Sequence, residues 1–225
     1  MKLYYFDLIG RAEPIKLLLA HAGVGFQDIK ITFDQWASKK AEFELGVLPV
    51  LEVDGKRYSQ SKAIIEYLAV KYNYLPQDFG LFSKAVFAVN TVEDLQGKIS
   101  AATSPLSPFD EAVKKESLKK LLDTDFPLYL GVLSKMYKEN SSKDYFVGDR
   151  YSIADFFLLG FYRSLTTDKN QRDVLYDKLV KNYPELNTYL DKRMKDFSAY
   201  QKDCKFKLYY FDMGGRAEMI RMLLK

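Results

Sequence analysis

The chain has 225 residues, 48% apolar and 28% charged, with a net charge of only +4, a globular composition that excludes fibrous and disorder-dominated classes. One cysteine, Cys204, and one histidine, His21, exclude an internal disulfide and a zinc site of the usual kind, and they suit a reducing compartment. Basic and acidic residues alternate throughout despite a pI near 8.8, so no nucleic-acid-binding block is expected.

No apolar run approaches the ~20 residues needed to cross a bilayer, so no membrane span is expected. Asp7 interrupts the opening apolar run, which argues against a secretory leader. A Ser-His-Asp triad would have to use His21, which sits in an apolar helical pattern without suggestive neighbours.

In chain order, Lys2 to Phe6 is a β-rich run, followed by Gly10 and a helical pattern through Ala22. Pro14 falls in that helix's first turn, where a missing N–H costs little, and Gly23 lies just past its end. Phe26 to Phe33 and Val47 to Val53 read as strands. Asp54-Gly55 signals a tight hairpin into Lys56 to Ser59, and Ser61 then caps a helix to about Tyr72. Tyr74 to Gly80 reads as a linker. Beyond it the period turns helical: Leu81 to Ala101, Pro108 to Glu139, Ile153 to Leu165 and Pro184 to Phe197. The expected architecture is a small α/β domain, residues 1–75, joined to an all-α domain, residues 81–200.

The C-terminus repeats the N-terminus. Lys2–Ala20 and Lys207–Lys225 align with an offset of 205, and 13 of 19 positions are identical. Residues 205–225 therefore read as a partial second copy, consistent with a tandem array or fused product.

Several segments stand out in order: Tyr5-Phe6 with Gly10-Arg11-Ala12-Glu13, then Trp36 and Lys40, then Gly46-Val47-Leu48-Pro49-Val50-Leu51. Gln60-Ser61, Glu93-Asp94 and Ser152-Ile153-Ala154-Asp155 complete the set. In this order and spacing they resemble the cytosolic glutathione transferases, most closely the sigma class. The resemblance spans about residues 2 to 200. It implies a thioredoxin-like N-terminal domain and an all-α C-terminal domain, assembled as a cytoplasmic homodimer that uses glutathione as co-substrate and no metal. The implied role is detoxifying conjugation of hydrophobic electrophiles.

The resemblance selects Tyr5 over Tyr4 as the catalytic tyrosine, because the family's tyrosine immediately precedes the phenylalanine and lies six residues before the arginine. A free thiol near pKa ~8.5 is only a few per cent thiolate at neutral pH. A phenol donating a hydrogen bond to the sulfur favours the charged form, and the following helix N-terminus adds partial positive charge. Taken alone, Tyr5 also fits an ordinary strand aromatic. Arg11 is implied beside the sulfur as a second catalytic group; otherwise it is a solvent-exposed first-turn residue. Glu13 is explained as a complement to the helix dipole.

Leu48-Pro49 resembles the family's cis-proline turn, leaving the Leu48 backbone open to pair with glutathione. Val47 stands where the family often has Gln or Lys, so only backbone contacts with Gly46 and Val47 carry over. Gln60 and Ser61 are implied to bind the γ-glutamyl carboxylate at a helix N-terminus. Trp36 and Lys40 are implied to hold the glycyl end, although Trp36 also suits a core position. Asp94 is implied to reach the γ-glutamyl ammonium across a dimer. Ser152 and Asp155 form a capping box of structural purpose. Prostaglandin isomerisation and peroxide reduction are variants that the resemblance admits. The alternative is a non-catalytic crystallin-like or hydrophobic-ligand-binding relative.

Overall fold

Alternation decides which way the first strand faces. In β1 (Lys2–Phe6), Leu3 and Tyr5 are buried while Tyr4 and Phe6 remain partly open, as period-two side chains require. The computed structural model describes residues 1–103, 107, 109–167 and 175–198. The partial repeat at 205–225, with Tyr210 and Arg216, and Cys204 lie outside the described residues.

β1 pairs in parallel with β2 (Gln27–Ile31) and antiparallel with β3 (Val50–Val53), and β4 (Lys56–Ser59) completes a mixed sheet of order β2-β1-β3-β4. The β3–β4 hairpin turns through Asp54 and Gly55, both at positive φ, as a tight two-residue hairpin of this type requires. β3 begins at Val50, not Val47, because residues 46–49 hold Gly46 at φ +56 and the cis Leu48–Pro49 bond. Pro49 also has no N–H to give a ladder.

Helix α1 (Glu13–His21) starts with Pro14 in its first turn and is followed by Gly23 at φ +67. The strand expected to reach Phe33 stops at Ile31, because Thr32-x-x-Gln35 is a capping box that opens α2 (Phe33–Lys39). The Gln35 N–H donates to Thr32 Oγ1 and the Thr32 N–H to Gln35 Oε1, each at 3.3 Å. A 3₁₀ turn, Lys40–Glu42, follows. Helix α3 (Ser61–Lys71) is capped by Gln60 and not by Ser61. Gln60 adopts φ 72, so the chain turns there and Ser61 is already helical.

The second half is helical: α4 (Phe79–Thr103), α5 (Glu111–Lys120), α6 (Phe126–Glu139), α7 (Ile153–Thr167), α8 (Asp177–Asn182) and α9 (Pro184–Lys195). The helix expected from Pro108, itself outside the described residues, starts at Glu111, where the Asp110 carboxylate accepts the Val113 N–H at 2.9 Å. It reaches Glu139 only through a π turn at Leu121–Asp125. Pro127 explains the widening: it cannot donate to the carbonyl four residues back, and its ring would strike it.

Helix α7 is buried along most of its length and packs against α1. The two backbones meet at Gly160, where a Cβ would lie 2.8 Å from Pro14 Cδ and 3.0 Å from its nitrogen. Glu13, expected as a surface complement to the dipole, is instead buried and ion-paired to Arg163 of α7. One continuous apolar core runs from Leu3 and Leu51 through Ile15 and Leu18 to Val92, Phe157 and Leu190. This is a thioredoxin-like α/β unit followed by a helical unit, as expected. Among the described residues, no helix is long and apolar enough to cross a membrane.

The expected capping box at α7 is half present. Asp155 accepts the Ser152 N–H at 2.8 Å, but the Ser152 hydroxyl donates to the carboxylate instead of accepting an N–H. The same fully buried carboxylate accepts the Phe146 N–H at 2.8 Å and the Tyr189 hydroxyl of α9. Removing it strands several buried donors at once. Asp155→Ala is therefore expected to destabilise the fold by about 3 kcal/mol in urea denaturation. A loss under about 1 kcal/mol would contradict the hub.

Candidate active site

The first strand delivers Tyr5 to the point where the chain turns into α1. Its hydroxyl oxygen accepts the Arg11 N–H at 2.9 Å, which leaves the phenolic proton free to be donated elsewhere. Gly10 lies against that oxygen: a Cβ there would stand 2.7 Å from Tyr5 Oη and 2.9 Å from Leu8 Cδ1. Burial pushes the phenol above its ordinary value, the Arg11 N–H and guanidinium pull it down, and the Glu13 carboxylate pushes it up. The net direction is upward, so Tyr5 is a neutral donor at physiological pH. Tyr4 faces the other way, donating to Glu52 at 3.1 Å beneath the Arg57 guanidinium.

Beside this turn lies a groove of about 770 Å³ between α3 and α4. It collects Arg11, Gln60, Ser61 and Asp94 from three separate stretches of sequence. Arg11 and Asp94 are exposed, while Ser61 is mostly buried at 7% exposure. The backbone N–H groups that open α3 have no intrahelical acceptors, and the Ser61 hydroxyl is not used as a cap. Gln60 holds a φ that is uncommon for a residue with a side chain, at the very entrance to this helix. The groove also holds Lys62, Glu66, Glu93 and Lys98, which the sequence reading assigned no role. Burial holds the Glu93 carboxyl above the usual carboxylate range, against the pull of Lys62 and Arg11.

The remaining expected residues form a second group that does not line this groove. Trp36, Leu48 and Tyr4 pack on a small cluster of Ile31, Phe43 and Val50. Trp36 is thus half-buried, with its ring 5.3 Å from Phe6 and 5.8 Å from Phe43, and its indole N–H makes no hydrogen bond to a described residue. Lys40 follows in the 3₁₀ turn, its N–H donating to the Trp36 carbonyl. Its methylenes lie over Gly46, where a Cβ would come within 2.8 Å of Lys40 Cε. Val47 is exposed, Pro49 is buried, and the Leu48 N–H and carbonyl bond to no described residue. Phe6, between Tyr5 and Trp36, joins the two groups through ring contacts on either side. Among the described residues, no cluster of His, Cys, Asp and Glu is fit to hold a metal ion.

A thioredoxin-like unit with a cis-proline turn, an open helix N-terminus and a buried tyrosine, continued by a helical unit, is the architecture of a glutathione-binding transferase. Residues 1–70 match the family profile for the glutathione S-transferase N-terminal domain, and residues 94–197 that for the glutathione S-transferase C-terminal domain. A glutathione S-transferase of Anopheles gambiae is 31% identical over 194 residues, 85% of this chain and 89% of its own. Glutathione S-transferase 3 of Caenorhabditis elegans is 32% identical over 202 residues, 85% of this chain and 96% of its own. The solved structure of prostaglandin synthase D of Nilaparvata lugens superposes with a TM-score of 0.77 at 26% identity, covering 93% of this chain and 98% of that one. The chain belongs to the glutathione S-transferase family of enzymes.

Gly10 was part of the motif in the sequence, but its physical role became visible only with the Tyr5 oxygen in place. Gly10→Ala is expected to push the hydroxyl off the Arg11 N–H and lower kcat/KM for glutathione conjugation by about tenfold. Circular dichroism should stay unchanged. Full activity would mean the phenol's position is not controlled from Gly10.

Proposed function

We propose that the chain conjugates glutathione to hydrophobic electrophiles, with Tyr5 donating a hydrogen bond that holds the sulfur as thiolate. The observation that carries this reading is the Tyr5 hydroxyl, neutral by burial and accepting from the Arg11 N–H, so that its own proton is available to an anion. Arg11 adds a cation at the same turn. The thiol proton leaves to solvent, and the sulfur lone pair then attacks the electrophilic carbon and displaces or adds across its acceptor bond.

The groove suits the zwitterionic γ-glutamyl end of the tripeptide. Its carboxylate would meet the first N–H groups of α3 and the Ser61 hydroxyl, with Gln60 at the entrance. In a homodimer, Asp94 would meet the ammonium of the glutathione bound to the partner subunit, a reading that its exposure supports. The open Leu48 backbone would pair with the cysteinyl part in the manner of an added strand, beside Gly46, Val47 and Pro49. Trp36 and Lys40 would hold the glycyl end.

In the same reading, residues 1–75 bind glutathione, while residues 81–200 carry the hydrophobic site and dimer contacts. The protein then serves detoxification in the cytoplasm and stands nearest the sigma class. The likeness to a prostaglandin synthase supports assaying prostaglandin isomerisation as a side activity, alongside peroxide reduction. Residues 205–225 repeat the strand of Tyr5, and because the first copy supplies the site in this reading, Tyr210→Phe should leave conjugation unchanged.

The test is the pH profile of kcat/KM with a chloronitrobenzene. Because burial holds the Tyr5 phenol above its ordinary value, it stays protonated through the acid limb, which belongs to the bound thiol. That limb should fall well below the ~8.5 of a free thiol. Tyr5→Phe should move it upward by about one unit or more and lower kcat/KM near neutrality at least tenfold. An unmoved limb in the variant would remove Tyr5 from the mechanism.

A further inference from the structure

Glu13 stands where a carboxylate works against the chemistry beside it. It opens α1 two residues after Arg11, whose N–H holds the Tyr5 hydroxyl, and its charge reaches that phenol and opposes negative charge there. A complement to the helix dipole could be supplied by an exposed acid at little cost. This acid is instead 3% exposed, and burial alone penalises its charged form.

Among the described residues, three charged groups face it. Arg163 comes from α7, Lys16 from its own helix and Asp28 from β2. Lys16 is itself paired with Asp28 at 2.7 Å, so those two charges largely cancel. The cation in direct contact with Glu13 is Arg163, reaching out of the helical unit across the α1–α7 interface. The contact is anchored by the close approach of Gly160 to Pro14, one residue after Glu13 and three before Arg163.

We propose that Arg163 is a positioning residue of the thiol site: by neutralising Glu13 from the helical unit, it keeps the first turn of α1 electrically favourable to a glutathione thiolate beside Tyr5. The proposal rests on the role given to Tyr5 above. It makes the helical unit part of the thiol-activating apparatus, although none of its groups need touch the sulfur for this effect. Arg11 then acts on the sulfur without an uncompensated carboxylate behind it.

The two partners can be separated by sign. Arg163→Met removes the cation in contact with Glu13, whereas Glu13→Gln removes the carboxylate and keeps the Arg163 cation. Ultraviolet titration of the thiolate in the enzyme–glutathione complex reads the effect directly. Arg163→Met should raise the bound thiol's pKa by about one unit and lower kcat/KM about tenfold at pH 6.5, with a smaller deficit at pH 9. Glu13→Gln should leave that pKa unchanged or lower it, and Arg163→Lys should stay close to wild type.

A purely structural ion pair would move the thiol upward in both variants or in neither, and either result overturns the proposal. Should Arg163→Met fail to fold, Glu13→Gln still decides, because an upward shift there is incompatible with electrostatic screening. A wild-type complex whose thiol titrates like free glutathione would instead defeat the role of Tyr5, leaving the two failures distinguishable.

Discussion

The close approach of α1 to α7 is the constraint on which the rest of the molecule depends. α1 packs against α3 and α7 and shares one apolar core with the sheet, and its close contact with α7 exists only because residue 160 has no side chain. A glycine inside a helix costs about 1 kcal/mol relative to alanine, so its place there is justified by packing and not by propensity. With α1 fixed, the turn before it is fixed as well. That turn carries Gly10 against the Tyr5 oxygen and the Arg11 N–H onto it. The site is therefore built on a helix clamped between two layers, and the loop that holds the phenol has little freedom of its own.

Electrostatics divide the neighbourhood into two kinds of surface. Around the phenol the buried charges are paired, Glu13 with the half-buried Arg163 and Lys16 with the more exposed Asp28, since an unmatched buried charge would be costly. The groove between α3 and α4 is open and mixed in sign, with Arg11, Lys62 and Lys98 facing Glu66, Glu93 and Asp94. Such a surface suits a ligand end that carries both an ammonium and a carboxylate, since each finds its complement without net attraction for simple ions. The helix N-terminus at Ser61 adds direction, because its free N–H groups distinguish the carboxylate from the ammonium.

What was legible in the sequence were features governed by neighbours in the chain. Period two gave β1, Asp54-Gly55 gave the hairpin, and Pro14 with Gly23 bounded α1. Thr32-x-x-Gln35 is equally local, but the preceding alternation continues in register through Phe33 and masks the start of α2. The other misses were set by distant contacts. Serine is a good cap by propensity, but the φ of Gln60 moved the cap one residue earlier. An acid in a first turn reads as a dipole complement until Arg163, 150 residues later, is brought against it. The short α8 carries too few periodic positions to stand out by pattern. The groove itself was partly legible: Arg11, Gln60 and Ser61, implied for one site, line it together, whereas Asp94, expected to act across a dimer, lines the groove of its own chain, and Trp36 lies in a separate cluster.

Tyr4 and Tyr5 show why adjacency in sequence does not make residues interchangeable. Both are phenols on the same strand, one residue apart, and composition cannot tell them apart. Tyr4 lies on the open face, where its proton is committed to the Glu52 carboxylate and its ring to Arg57. Glu52, with Lys2 and Arg57 also upon it, is held down to about 2, so it remains an acceptor across the physiological range and keeps that proton engaged. Tyr5 is turned inward, and its oxygen receives a hydrogen bond from a backbone group that can only donate. A hydroxyl satisfied as an acceptor and unsatisfied as a donor is poised toward an anion. One with its proton already on a carboxylate is not. The pleat of a single strand thus separates a phenol whose proton is committed to a carboxylate from one whose proton is open to an anion.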